Sequence, residues 1–435
     1  ILGWSKDNES VFIKDRFDIW KFNLRTKKSE NITNFYGRKN GIRVSFIKLD
    51  YEQEYVDEED FILLRGFNTK HKSSGYYKYK FDKNDPSQLV KLISSDHLYH
   101  RAIKSKNSDK ILWRRESFRV YPNLYYSDIN FQSIRQISDL NLQQSDYVWG
   151  DVELYKWEAY DGTDMEGLLY KPSNFDSTKK YPMIVYFYEK YSDNLHRYYV
   201  PKPSHSTINF TEYVSNGYVI FVPDIVYQTG KPGESAYNCI VSGTKSLMKE
   251  NWIDTNKIGI QGQSWGGYQV AYLITRTNIY AAAESGAPVS NMTSAYGGIR
   301  WGSGMSRAFQ YEKGQSRIGV DMWTDLDLYI ENSPIFFADK VETPLLIMHN
   351  TKDGAVPWSQ GIEYFSALRR LDKKVWMLSY DDDHNLMKWP NRVDLNIRMK
   401  QFFDYYLKDE QMPLWMKEGL PYSKKGKEDA YELVE

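Results

Sequence analysis

From about residue 149 onward the chain repeats one alternation: a short apolar run, a longer stretch of helical character, then another apolar run. The apolar runs are Met165–Tyr170, Pro182–Tyr188, Tyr218–Val222, Lys257–Gly262, Pro344–His349 and Lys374–Ser379. Between them lie Asn238–Glu250, Gln269–Thr275, Ser359–Leu371 and Arg392–Leu407, which read as helices. Runs this short and apolar are buried strands, and helical crossovers force such strands to lie mostly parallel in a sheet covered on both faces. The expected class is therefore α/β, with its chemistry at the carboxyl ends of the strands.

Residues 1–148 have a different texture. Phe17–Asn23, Gly75–Phe81 and Pro122–Asp128 are variations on one unit, mixing aromatic and polar residues close to the period of two of a half-buried strand. Each follows another strand candidate, namely Ser10–Lys14, Asp60–Gly66 and Lys110–Arg115. Starts at residues 17, 75 and 122 come near the period of about 40–50 residues seen in propeller blades. Antiparallel all-β blades of a partial β-propeller are expected here, with an ordinary antiparallel domain as the rival reading. Three blades cannot close a ring of about four to eight. The sequence is therefore expected to lack the front of a longer protein. The domain reading is 1–148 for the blades, 149–421 for the α/β domain and 422–435 for a polar tail. Within that tail, Lys424-Lys425-Gly426-Lys427-Glu428-Asp429 reads as a frayed, solvated end.

Composition narrows the function classes. Lys plus Arg and Asp plus Glu are 57 each, so the net charge is zero and the electrostatic footprint of a nucleic-acid binder is missing. Cys239 is the single cysteine, which rules out an intrachain disulfide and a cysteine-based zinc site. No apolar run approaches the roughly 18 residues of a membrane span. There is no Gly-X-X-X-X-Gly-Lys-Ser/Thr phosphate loop and no His-Glu-X-X-His helix, and Asp381–Asp383 lacks the spacing of a calcium loop. Neither a metal nor a cofactor is expected.

The sharpest local feature is Gly262-Gln263-Ser264-Trp265-Gly266-Gly267-Tyr268, which follows a strand and opens a helix. Glycines at these places permit a tight, strained turn that lifts the serine hydroxyl above the sheet, as in the nucleophile elbow of α/β-hydrolases. A serine hydroxyl needs an adjacent base, itself held by a third group. In that fold the acid and then the histidine follow the serine in the chain. Only His349 and His384 come after Ser264. His349 ends a strand and reads as a packing residue, whereas His384 lies in a loop beyond the strand Val375–Ser379 and is the expected base. Asp353, on another strand-end loop, is the expected acid. Asp381, Asp382 and Asp383 are rivals, but immediate loop neighbours rarely face the ring correctly, and that run reads as a solvated face.

On these residues the second half resembles the prolyl oligopeptidase family of serine peptidases, close to its dipeptidyl-peptidase-IV-like branch. The resemblance runs from about Trp149 to Pro421. It includes Trp252-Ile253-Asp254, the Asp353 loop with Val356-Pro357, Asp383-His384, Pro413-Leu414-Trp415-Met416 and Gly419. It implies an N-terminal propeller, which agrees with the aromatic repeats. It also implies an oxyanion hole made by the backbone N–H of Trp265 and the hydroxyl of Tyr188. Val289, Met292, Ala295, Tyr296, Trp301 and Val356 stand at or near the primary pocket. Four features depart from the family. Glu189-Lys190-Tyr191 follows the tyrosine, Pro223-Asp224-Ile225-Val226-Tyr227 replaces an Arg-Gly, Met292 and Ala295 stand where proline-specific relatives place aromatics, and His349-Asn350 and His384-Asn385 stand where glycine commonly follows histidine. Arg300 and Arg307 raise an acidic preference, with surface arginines as the commoner explanation. Glu58-Glu59 reads as solvated rather than as an anchor for a substrate amine.

The expected function is a serine-type peptidase acting on short peptides through Ser264, Asp353 and His384, either as a dipeptidyl peptidase or as an oligopeptidase. An acyl-ester hydrolase and a catalytically silent interaction protein on the same fold are the alternatives. A homodimer is admitted, and the resemblance implies a bacterial periplasmic or secreted location.

Overall fold

The computed structural model describes residues 1–81 and 89–434; Glu435, the last residue of the expected tail, lies outside them. By contact the chain divides into two compact units, residues 1–147 with Asp193–Tyr199, and residues 148–192 with 200–434.

The first unit is built from three sheets in chain order. Gly3–Ser5, Ser10–Lys14, Ile19–Asn23 and Ser29–Asn31 pair antiparallel, and Tyr55–Val56 adds in parallel beside Gly3–Ser5. Ile42–Ile47, Phe61–Asn68, Ser74–Lys80 and Leu89–Ser95 form the second sheet. In the third, Leu98–Tyr99 and Ile103–Lys104 both pair with Lys110–Glu116, followed by Leu124–Asp128 and Arg135–Gln136. These sheets are propeller blades, and the three aromatic repeats fall on the corresponding strand of each: Ile19–Asn23, Ser74–Lys80 and Leu124–Asp128. Aromatics of the second and third sheets, Tyr76, Tyr99, Trp113 and Tyr125, pack in one buried cluster. Trp113 stacks on Tyr99 at 5.6 Å and on Tyr125 at 4.7 Å. Glu58 is not simply solvated: it receives the ammonium of Lys21 at 2.7 Å. The segment Asp193–Tyr199 belongs here through Arg43, whose guanidinium meets Asp193 at 2.6 Å, and through Tyr198, whose hydroxyl meets Asn141 and Gln144.

The second unit is an eight-stranded, mostly parallel sheet. Its strands are β1 (Gly150–Glu158), β2 (Asp164–Pro172), β3 (Tyr181–Tyr186), β4 (Val219–Pro223), β5 (Ile253–Gln263), β6 (Ala282–Gly286), β7 (Leu345–Met348) and β8 (Val375–Leu378). They lie in the order β1-β2-β4-β3-β5-β6-β7-β8. β1, β2 and β4 pair antiparallel in succession, and the remaining pairs are parallel. This is the α/β-hydrolase arrangement. Helices α1 (Phe210–Ser215), α2 (Pro232–Leu247), α3 (Trp265–Leu273), α4 (Met292–Tyr296), α5 (Ser359–Arg370) and α6 (Trp389–Lys408) connect or follow the strands. Val185, Phe221, Ile260, Ile347, Ile240 and Val270 meet in one buried core.

Several expectations need correction. β1 and β6 were not anticipated: β1 is an edge strand full of charged residues, and β6 is Ala-Ala-Glu-Ser-Gly, low in β-propensity but wholly buried. α2 starts at Pro232 rather than Asn238, since a proline at the first helical position begins a helix rather than breaking it. The tail is solvated over Lys424–Asp429 as expected but not frayed: Lys424 reaches Glu428 at 2.8 Å and Lys425 donates to the Ser379 carbonyl at 3.0 Å. Leu433–Val434 pairs with Met412–Pro413, Tyr431 donates to Asp394 at 2.5 Å, and Arg398 donates to the Asp429 carbonyl at 2.7 Å.

Candidate active site

The carboxyl edges of β5, β7 and β8 bring three loops together. β5 runs into Ser264, held at φ 62° and ψ −115°, and α3 begins at the next residue. A non-glycine residue there costs on the order of 1–3 kcal/mol and persists only where its surroundings over-determine it. They do. The Ser264 N–H donates to the Gly286 carbonyl at 2.7 Å, and its own carbonyl accepts the Tyr268 N–H at 3.0 Å. Strand and helix also approach closely across the turn: a Cβ on Gly262 would lie 2.5 Å from the Gly266 backbone, and one on Gly266 would lie 2.7 Å from the Phe187 carbonyl. No side chain fits either place.

Asp353 follows β7 with its carboxylate fully buried. Oδ1 accepts the backbone N–H groups of Ala355 and Val356, both at 2.8 Å, and Oδ2 lies 2.7 Å from His384 Nδ1. Burial alone would raise this carboxyl's pKa. Hydrogen bonds from His349 and His384, the positive charge of His384 and the Val356 N–H outweigh it and hold the group well below the usual carboxylate range. When the ring is neutral and donates Nδ1–H to Asp353, Nε2 is left as its acceptor nitrogen. The ring is partly exposed, and its loop is tied to the serine strand by Gln263, whose amide donates to the His384 carbonyl at 3.0 Å. Among the described residues no hydrogen bond joins Ser264 Oγ to His384, a contact that often tightens only with substrate present.

Tyr188 lies just past the end of β3, two residues beyond the strand's last. Its carbonyl accepts from Gln269 of α3 at 3.1 Å, its hydroxyl accepts from Gln315 at 2.8 Å, and its ring sits near Gly266. The N–H of Trp265, first in α3, has no acceptor within the helix. Val289, Met292, Ala295, Tyr296 and Val356 come together in one buried cluster against Trp265 and Tyr268. Trp301 does not join them: it is 71% exposed, on the hairpin Ile299–Arg300/Met305–Ser306.

Other residues behave differently from expectation. His349 is fully buried with Nε2 3.1 Å from the Val356 carbonyl and 3.4 Å from Asp353 Oδ2, so a packing histidine is also a second neighbour of the acid. Arg307 is not on the surface. It is fully buried, donating to the Ala355 carbonyl and to the Tyr311 hydroxyl. Asp382 is no solvated face either: it is buried and accepts from the Met387, Lys388 and Asp383 N–H groups and the Asn391 amide. Asp381 pairs with Lys352 and Lys388. Among the described residues, no group of three or more His, Cys, Asp or Glu side chains is placed to hold a metal, and no helix is long and apolar enough to cross a membrane.

Known proteins resemble this chain in sequence and in fold. Residues 209–410 match the model of the prolyl oligopeptidase family. Dipeptidyl-peptidase 5 of Porphyromonas endodontalis is 25% identical over 352 residues, covering 69% of this chain and 47% of the relative. The acylamino-acid-releasing enzyme of Sus scrofa is 27% identical over 232 residues, covering 51% of this chain and 31% of the relative. The chain thus matches 31% to 47% of the length of these curated relatives. In fold it is similar to the crystal structure of Porphyromonas gingivalis dipeptidyl peptidase 4, with a TM-score of 0.72 at 16% identity, covering 93% of this chain and 56% of that one.

Proposed function

We propose that this chain, which carries a prolyl oligopeptidase family domain over residues 209–410, is a serine peptidase that cleaves short peptides through an acyl-enzyme on Ser264. The observation that carries the reading is the 2.7 Å contact between Asp353 and His384, on strand-end loops beside a serine held in a strained turn. In the first step Ser264 Oγ attacks the scissile carbonyl while His384 Nε2 takes its proton. Asp353 keeps the imidazole in the right tautomer and stabilises the imidazolium that forms. The Trp265 N–H and the Tyr188 O–H hold the developing oxyanion. His384 then gives its proton to the leaving amine, and water attacks the ester with the same base. The apolar cluster of Val289, Met292, Ala295, Tyr296 and Val356 floors the pocket for the residue before the cut.

The test uses the full-length protein and a mixed pool of peptides, half of them N-acylated, with a Ser264→Ala control and cleavage sites read by mass spectrometry. Serine-dependent cuts are expected. Release of dipeptides from free amino termini would place the enzyme with the dipeptidyl peptidases, and release of acylated residues would place it with the acylamino-acid-releasing enzymes. A folded sample that cuts nothing in the pool overturns the peptidase reading.

A further inference from the structure

Two departures from the family pattern, Glu189 after Tyr188 and Tyr227 after β4, remain unused by the reaction above. In the structure they meet. Arg317 reaches Glu189 Oε1 with one guanidinium nitrogen at 2.6 Å and the Gln315 carbonyl with the other at 2.7 Å. Its guanidinium carbon stands 4.5 Å from the centre of the Tyr227 ring. The Arg317 carbonyl accepts the Gly230 N–H at 2.7 Å, and its φ of 54° marks a sharp local bend. The outcome is that Gln315 is held in place with its amide Nε2 2.8 Å from the Tyr188 hydroxyl. On the other side, the Tyr227 hydroxyl accepts from the Trp265 indole at 3.0 Å and from Gln269, whose amide also donates to the Tyr188 carbonyl at 3.1 Å.

A phenol has one proton to donate and lone pairs that accept. An amide N–H filling an acceptor site of Tyr188 leaves its proton free to point elsewhere, whereas a carboxylate or carbonyl in the same place would capture that proton. We infer that Gln315, clamped by Arg317 against Glu189 and Tyr227, is a positioning residue for Tyr188: it fixes the phenol as a donor toward the oxyanion. This inference rests on the oxyanion role proposed for Tyr188, and deepens it. It also gives the two departures one job, since the clamp reaches both residues assigned to the oxyanion hole.

The experiment measures the rate at which a fluorophosphonate labels Ser264 in the full-length protein, alongside thermal midpoints. The phosphonyl oxygen occupies the oxyanion hole, so no knowledge of the natural substrate is needed. Gln315→Leu is expected to slow labelling roughly three- to tenfold, the share of one orienting hydrogen bond. Gln315→Glu, nearly identical in shape, is expected to slow it about as much as Tyr188→Phe, on the order of a hundredfold, because the carboxylate takes the phenol's proton. In a Tyr188→Phe background, Gln315→Leu should have no further effect, the signature of a residue acting through another. Equal labelling by Gln315→Leu and the native protein, or a Gln315→Leu effect that persists undiminished in the Tyr188→Phe background, overturns this inference alone. Native-rate labelling by Tyr188→Phe overturns the oxyanion assignment together with it, and absence of labelling in the native protein overturns the peptidase reading.

Discussion

Two buried carboxylates, one at the carboxyl edge of the sheet and one in its interior, face opposite fates. Asp353 lies in the loop after β7, and Glu284 lies on the adjacent strand β6; both side chains are removed from solvent. Asp353 has two imidazoles and two backbone N–H groups around it and stays ionised well below the usual range. Glu284 receives a single donor, the Gln261 amide at 2.7 Å, and its other oxygen has no partner among the described residues. Burial therefore wins, and its pKa is pushed up to about 8. Depth in the fold does not decide the charge of an acid; the number of donors aimed at it does.

Removing the ionised member should have the largest effect. Asp353→Asn is expected to lower kcat by about 10³–10⁴-fold, because a neutral amide no longer holds His384 in the right tautomer. Steady-state kinetics that show less than a tenfold loss would mean that Asp353 is simply a buried acid, and the contrast with Glu284 would lose its catalytic meaning. A second break comes from pH. Because the fold holds Asp353 below its ordinary carboxylate range, its charge contributes stability that is lost as pH falls below about 3.9, and Asp353→Asn should lose less stability than the native protein over that range in denaturant midpoints. Parallel losses in the two proteins would contradict this.

Asp382 sharpens the comparison as a third, structural case. With four donors from the start of α6 and its own loop, Asp382→Ala should cost about 1–3 kcal/mol of stability, read as a lower denaturant midpoint. An unchanged midpoint would show that donor number does not govern these acids.

The smallest effect belongs to Glu284. The folded protein keeps a proton that the unfolded chain gives up above the ordinary carboxylate value of 4.5, so stability should fall as pH rises from there toward about 8. Glu284→Gln removes that slope. Its thermal midpoint relative to the native protein should improve by about 2–4 °C between the ends of that window, with labelling of Ser264 unchanged. Parallel midpoint curves would mean that Glu284 is ionised in both states.

Much of the second unit was legible because strands there are short apolar runs and the serine turn needs its glycines. Asp353 and His384 could be singled out by their place after separate strands. What escaped has a common cause. β6 is a strand for reasons of packing rather than propensity, and its Glu284 reads in isolation as surface. Arg307 and Asp382 likewise look like solvated charges in a linear string, because the carbonyl of Ala355 and the amides of Met387 and Lys388 that receive them are brought up only by the fold. His349 reads as packing in the sequence, and nothing in its spacing to Asp353 signals that its ring nitrogen reaches the same carboxylate.

The short run Asp193–Tyr199 has a consequence for how this molecule can be taken apart. It interrupts the stretch of chain that forms the second unit but finds its partners, Arg43, Asn141 and Gln144, in the first. A gene fragment ending at residue 147 lacks the side chains that these partners meet, and one beginning at 148 carries Asp193 and Tyr198 away from them. Two folding units can be drawn on this protein, yet no single cut in its gene separates them.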